Sequence, residues 1–159
     1  MKKVKKLAVI YCRTATTEKE DRAKLKEQER ICKSALRKNK HELFEVISDF
    51  GYSGRTPERP GLHRLQALIK SQKISAIYTA DPNRFYRDTS TLMAFLEQLK
   101  SNKIVVHYAL LSGEVLSLTD NVQEMLSELF VKTYSYELSK RVKATLAHRK
   151  LKLQEVNQK

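Results

Sequence analysis

Apolar residues in this chain fall in short blocks separated by charged stretches, and the blocks alternate between two periods. Leu7–Cys12 is compact, apolar and β-rich, which predicts a buried strand. Lys19–Lys38 predicts a helix with Leu25, Ile31, Cys32 and Leu36 near one face, and Leu43–Ile47 predicts a second strand. The stretch DFGYSGRTPERP, Asp49–Pro60, holds two glycines and two prolines and reads as a loop. Gly61–Gln72 follows as a short helix and Ile74–Ala80 as a third strand. After the loop DPNRFYRDT come a helix over Asp88–Ser101, through Leu92, Phe95, Leu96 and Leu99, and a fourth strand over Ile104–Ala109. This alternation predicts an α/β fold, a mostly parallel sheet of four to five strands with helices on both faces.

The end of the chain breaks the alternation. From Asp120 a helical pattern runs almost to the terminus, with Val122, Met125, Leu126, Leu129, Phe130, Tyr134, Leu138, Val142 and Leu146 at three- and four-residue steps. A helix of about 35 residues is about 50 Å long, whereas a domain of this size has a radius of gyration of about 15 Å. The far half must leave the body, and its apolar stripe then needs a partner, most simply a second copy. The expected organisation is a core over residues 1–119 and a long amphipathic basic helix over 120–159 belonging to the same unit.

Composition narrows the class. The 159 residues suit a single domain, and no apolar run approaches the roughly 18 residues of a membrane span. MKKVKK is basic, but LAVIY after it is too short for a signal-peptide core and reads better as strand. Cys12 and Cys32 fit neither a disulfide framework nor a zinc spacing, so they are expected in the core of a cytoplasmic protein. A net charge of +13 calls for a polyanion, either nucleic acid or an anionic membrane surface. The far helix carries Lys132, Lys140, Arg141, Lys143, Arg149, Lys150, Lys152 and Lys159 against Glu137 and Glu155, and lacks the tryptophans of a membrane-surface helix. Nucleic acid is the better fit.

Candidate chemistry lies in three loops. Arg13 follows the first strand, Arg55 and Arg59 the second, and Arg84 and Arg87 the third. In a parallel sheet these loops leave one edge together, and converging guanidiniums suit a phosphate because arginine stays charged and donates in a planar fork.

The same loops carry a resemblance. The chain resembles the catalytic domain of the serine recombinases, the resolvase/invertase family. Their strand ending Tyr-x-Arg-Val-Ser-Thr is matched by YCRTAT, Tyr11–Thr16, and their Leu-x-x-Gln by Leu25 and Gln28. Asp49 with Ser53 and Gly54, then Arg59-Pro60-Gly61-Leu62, match two further blocks, and Arg84 with Arg87 match Asp-Arg-Leu-x-Arg. Arg141 falls where the terminal helix of the family carries an arginine after a glutamate. The resemblance implies cleavage of double-stranded DNA by a serine hydroxyl through a 5′-phosphoserine bond, with no metal or nucleotide cofactor. Arginines would offset the charge building at phosphorus, and two DNA-bound homodimers would meet in a synaptic tetramer. It implies a catalytic set of Arg13, position 15, Gln28, Asp49, Arg59, position 83, Arg84, Arg87 and Arg141. It further implies DNA contact by Lys140, Lys143, Arg149 and Lys150, and a dimer interface of Val122, Met125, Leu126, Leu129 and Phe130. Neither a membrane nor a small-molecule ligand is expected. Family members continue into a separate DNA-reading domain, and no helix-turn-helix or zinc-ligand pattern follows these residues, so phosphate contacts are expected to dominate binding.

Three positions depart from the family. Ala15 stands at the nucleophilic serine and has no oxygen to attack phosphorus. Asn83 replaces the acidic residue beside Arg84, and Lys140 the glutamate before Arg141. Thr14 and Thr16 flank the alanine and are candidate substitute nucleophiles; with Thr17 they are equally candidates to cap the first helix. Two functions stay open: a site-specific recombinase, impaired or rescued by a threonine, and a non-catalytic DNA-binding and dimerisation module that partners an active recombinase. A flavodoxin-like nucleotide or phosphoryl-acceptor domain fails for want of a glycine-rich first turn and of the acidic cluster a phosphoacceptor needs.

Overall fold

The computed structural model describes residues 6–109, 115–117, 139 and 142–146. The chain runs β1 (Leu7–Thr14), α1 (Lys19–Lys38), β2 (Glu42–Phe50), α2 (Pro60–Lys70), β3 (Ala76–Thr79), α3 (Thr89–Ser101), β4 (Val105–Ala109) and β5 (Val115–Ser117), with a 3-10 turn at Pro82–Arg84. The sheet order is β2-β1-β3-β4-β5, with β1 to β4 parallel and β5 antiparallel against β4. The predicted α/β architecture is present. β1 and β2 each run further toward the loops than the sequence suggests, and the short antiparallel β5 closes the sheet.

β1 is an interior strand and is buried from Ala8 to Thr14, as a strand covered on both faces must be. Its alternate residues feed two cores. Val9 and Tyr11 pack with Leu62, Leu65 and Ile69 of α2 and Phe95, Leu96 and Leu99 of α3. Ala8, Ile10 and Cys12 pack with Cys32, Ala35 and Leu36 of α1 on the other side. β2 is the edge strand, with its first residues exposed and a register shift opposite Ala8 and Val9.

This topology decides where a ligand can sit. From β1 the chain moves outward to β2 with α1 on one face, then returns past β1 to β3 with α2 on the other. The strand order therefore reverses beside β1, at the carboxyl edge where an open α/β sheet ordinarily places its ligand site.

Candidate active site

Arg13 is the next-to-last residue of β1, on the face that carries Tyr11. Its peptide is held first. The Gln28 side chain on α1 accepts from the Arg13 N–H through Oε1 and donates to the Arg13 carbonyl through Nε2, each at 3.1 Å. The Leu25 and Gln28 spacing puts Leu25 against the α1 core and turns Gln28 onto the strand end.

The Arg59-Pro60-Gly61-Leu62 block has a separate physical reason at each residue. Arg59 is extended, as the residue before a proline prefers, and Pro60 opens α2 where its missing N–H costs nothing. No side chain within the block caps the helix. Asp49 on β2 does so instead, accepting from the N–H of Gly61 at 2.8 Å and of Leu62 at 3.0 Å. A Cβ at Gly61 would lie 2.8 Å from the same carboxylate, so glycine permits the approach. Leu62 drops into the core, 1% exposed. Asp49 also accepts from the Tyr11 hydroxyl at 2.7 Å, and that hydroxyl in turn accepts from Arg59 Nη1 at 3.0 Å.

The third loop supplies the convergence. The 3-10 turn leaves the carbonyls at its end without helical partners, and two guanidiniums take them. Arg13 donates to Asn83 O at 2.8 Å through Nη2, to Arg84 O at 3.1 Å through Nε, and to Tyr52 O at 2.7 Å through Nη1. Arg59 donates to the same Arg84 carbonyl at 3.1 Å and to Phe85 O. Gly54 sits against this assembly, since a Cβ there would come within 2.8 Å of Arg13 Nη2 and 2.9 Å of Arg87 Cγ.

Arg13, Arg59, Arg84 and Arg87 come together, and they divide into two kinds. Arg13 and Arg59 are 1% and 0% exposed; Arg13 donates to backbone carbonyls of the neighbouring loops, and Arg59 to two such carbonyls and to the Tyr11 hydroxyl. Burial, and then the guanidiniums of Arg84, Arg59 and Arg87, lower Arg13 to about 10, so it remains charged at neutral pH. Arg84 keeps partial exposure, while Arg55 and Arg87 are exposed. Arg84 and Arg87 are therefore the more accessible cations of this edge, set on the buried Arg13 and Arg59. Burial, followed by the hydrogen bond to Asp49, pushes the Tyr11 hydroxyl upward, which makes it a neutral bridge.

Ala15 lies just past β1 and is exposed. Thr14 is buried, and its hydroxyl donates to Thr16 O at 3.4 Å. Thr16 is exposed, and its hydroxyl donates to the Asp21 carboxylate. The N-cap of α1 is Glu18, with no side-chain cap, so the threonines do not cap this helix as one reading of the sequence expected. Lys24, 2.5 Å from Asp21, and then Thr16 hold the Asp21 carboxyl below its usual value. Burial pushes the nearby Cys12 thiol up to about 12 and leaves it an inert core residue.

The structure thus brings Arg13, Ala15, Gln28, Asp49, Arg59, Asn83, Arg84 and Arg87 to one edge. Lys143 is exposed in the helical residues 142–146. Lys140, Arg141, Arg149, Lys150 and the apolar set Val122, Met125, Leu126, Leu129 and Phe130 lie outside the described residues. Sequence reasoning missed three contributors. Tyr11 was legible in the Tyr-x-Arg spacing, which puts it on the Arg13 face. Asp21 and Asp81 gave no signal beyond their places near a helix start and before a proline. Among the described residues no group of three or more His, Cys, Asp or Glu could hold a metal ion, and no helix is long and apolar enough to cross a membrane.

The family model "Resolvase, N terminal domain" matches residues 8–154, nearly the whole chain, and the protein belongs to that family. Solved structures agree on the fold. The N-terminal catalytic domain of TP901-1 integrase is 20% identical over 84% of this chain and 99% of its own, with a TM-score of 0.66. A resolvase family site-specific recombinase from Streptococcus pneumoniae is 19% identical over 90% of this chain and 95% of its own, with a TM-score of 0.61. The catalytic domain of ISC1926 TnpA, an IS607-like serine recombinase, is 17% identical over 79% and 78%, with a TM-score of 0.58. No curated protein matches the chain.

Proposed function

We propose that this domain binds double-stranded DNA through its phosphates and assembles as a resolvase/invertase-type recombinase domain, but forms no covalent bond to DNA from position 15. The observation that carries this reading is the turn after β1. An exposed alanine occupies the nucleophile position, and the hydroxyls on either side are committed to Thr16 O and to Asp21. The net charge of +13 and the converging arginines support phosphate contact. The relatives named as integrase and site-specific recombinase support the substrate class. The basic segment 120–159 is the proposed dimerisation and DNA-contact element, with a homodimer as the binding unit and a tetramer in synapsis. Regulation of an active recombinase, by pairing with it, follows from the same chemistry.

One observation favours a second reading. Thr16 and Asp21 are joined as a nucleophile and base would be. Against it, the Lys24 ion pair lowers the basicity of Asp21, and a secondary alcohol one residue from the expected position suffers from misplacement of about 1 Å.

Covalent trapping separates the readings. The protein and its Ala15→Ser variant are incubated with DNA flanking the gene, and denaturant-resistant protein–DNA adducts are resolved by gel. An adduct from Ala15→Ser alone supports the proposal. An adduct from the unaltered chain that disappears in Thr16→Val overturns it in favour of the threonine.

A further inference from the structure

We propose that Asp81 is the positioning residue that aims the Arg84 guanidinium outward for phosphate. The inference rests on the phosphate-binding reading above.

Asp81 directly precedes the 3-10 turn, in extended conformation, the place where an aspartate ordinarily caps. It makes no cap. Its carboxylate reaches instead to the side chain three residues on, with Oδ2 accepting from Arg84 Nε at 2.8 Å and lying 2.6 Å from Nη2. Its main-chain carbonyl accepts from the Arg84 N–H at 3.1 Å, so one residue holds both ends of Arg84. The other carboxylate oxygen, Oδ1, is buried and takes no hydrogen bond. The charge of Asp81 is therefore directed at Arg84.

The remaining hydrogens can be counted. A guanidinium has five N–H donors. Asp81 takes the Nε–Nη2 edge, and Arg84 Nη1 donates to the Arg13 carbonyl at 2.9 Å. Among the described residues one hydrogen is left on each terminal nitrogen, and that pair matches two oxygens of a phosphate. Arg84 is also the one of the three interlocked arginines with appreciable exposure, its side chain 27% exposed against 1% for Arg13 and 0% for Arg59 as residues. Asp81 thus blocks the inner edge and leaves the outer edge free. Asn83 brings no charge of its own, and its carbonyl serves Arg13.

The test exploits a conflict of signs. Asp81→Asn removes a negative charge from a basic protein, so a carboxylate acting only as background charge would tighten DNA binding when lost. If Asp81 aims Arg84, the same variant binds a short random-sequence duplex about tenfold more weakly, the loss of one well-oriented charged contact. The Arg84 Nε–H signal in a nitrogen-15 NMR spectrum, assigned by its loss in Arg84→Lys, reports the aim directly. It is expected to move to the position of a free guanidinium in Asp81→Asn while the backbone signals of Gln28 and Leu62 stay in place. Unchanged or tighter DNA binding with an unmoved Arg84 signal overturns the proposal. Backbone signals that move throughout would mean a folding role, and overturn it as well. If the unaltered protein binds no duplex, the underlying phosphate reading falls, and the Arg84 signal separately shows whether Asp81 holds the guanidinium.

Discussion

Gln28 grips the peptide of Arg13 at both ends, at 3.1 Å on the N–H and 3.1 Å on the carbonyl. The carbonyl has a second donor in Arg84, but Gln28 is the N–H's partner beyond the sheet, so truncation leaves a buried donor. Gln28→Met should lower stability by about 1–3 kcal/mol, read from urea unfolding. A loss under about 0.5 kcal/mol, the scale of an ordinary surface change, would mean the grip is incidental.

The Asp49 cap on α2 predicts coupling rather than simple loss. Gly61→Ala pushes a methyl against a carboxylate fixed by Tyr11 and two N–H groups, and overpacking of this kind costs about 1–3 kcal/mol. With Asp49→Ala already present the obstacle is gone, and the same substitution should cost far less. A double-mutant cycle measures this; purely additive losses would refute the close approach.

His107 makes stability depend on acid. It is 7% exposed, stacked on Tyr78 with ring centroids 4.5 Å apart, and 5.4 Å from His41. Burial, and then His41, lower it to about 4 from an ordinary 6.5. The unfolded chain therefore takes up a proton below pH 6.5 that the folded chain refuses until about pH 4, so stability should fall as pH drops through that window. His107→Gln should flatten the fall in melting temperature between pH 7 and pH 4.5. An equally steep fall in the variant would assign the effect elsewhere.

Lys143 is exposed in the helical residues 142–146, beside Val142 and Leu146, both of them more than half or half exposed. Lys143→Ala should reduce the slope of log affinity for DNA against log salt by about 1. A slope that stays the same would take this lysine off the DNA.

Association through the apolar stripe is separately testable. Leu129→Asp should shift the protein toward monomer in sedimentation at a concentration where the unaltered chain associates. An unchanged mass would remove the stripe from the interface.

The framework was legible because it rests on local periodicity. Lys19–Lys38 was bounded as found, and the arginines were placed at one edge by the parallel alternation alone. What escaped depends on chain segments far apart. The donors of Arg13 go to carbonyls 39, 70 and 71 residues away, and whether an arginine faces phosphate or backbone has no local pattern. The cap on α2 comes from β2 rather than from the residue before the helix, so nothing local in the sequence marks Asp49 as a cap. β5 is three residues long, too short to show alternation.

The Arg84 carbonyl accepts from Arg13 and Arg59 together, so one oxygen fastens the end of β1 to the loops that follow β2 and β3. Such a junction cannot exist until all three strands have been laid side by side. The arginine-lined edge is then expected to form late in folding, since it is built from distant contacts of the slow-forming sort. Nascent chains still missing β3 would be net positive without the arranged surface, and would meet polyanions as a polycation rather than as a site.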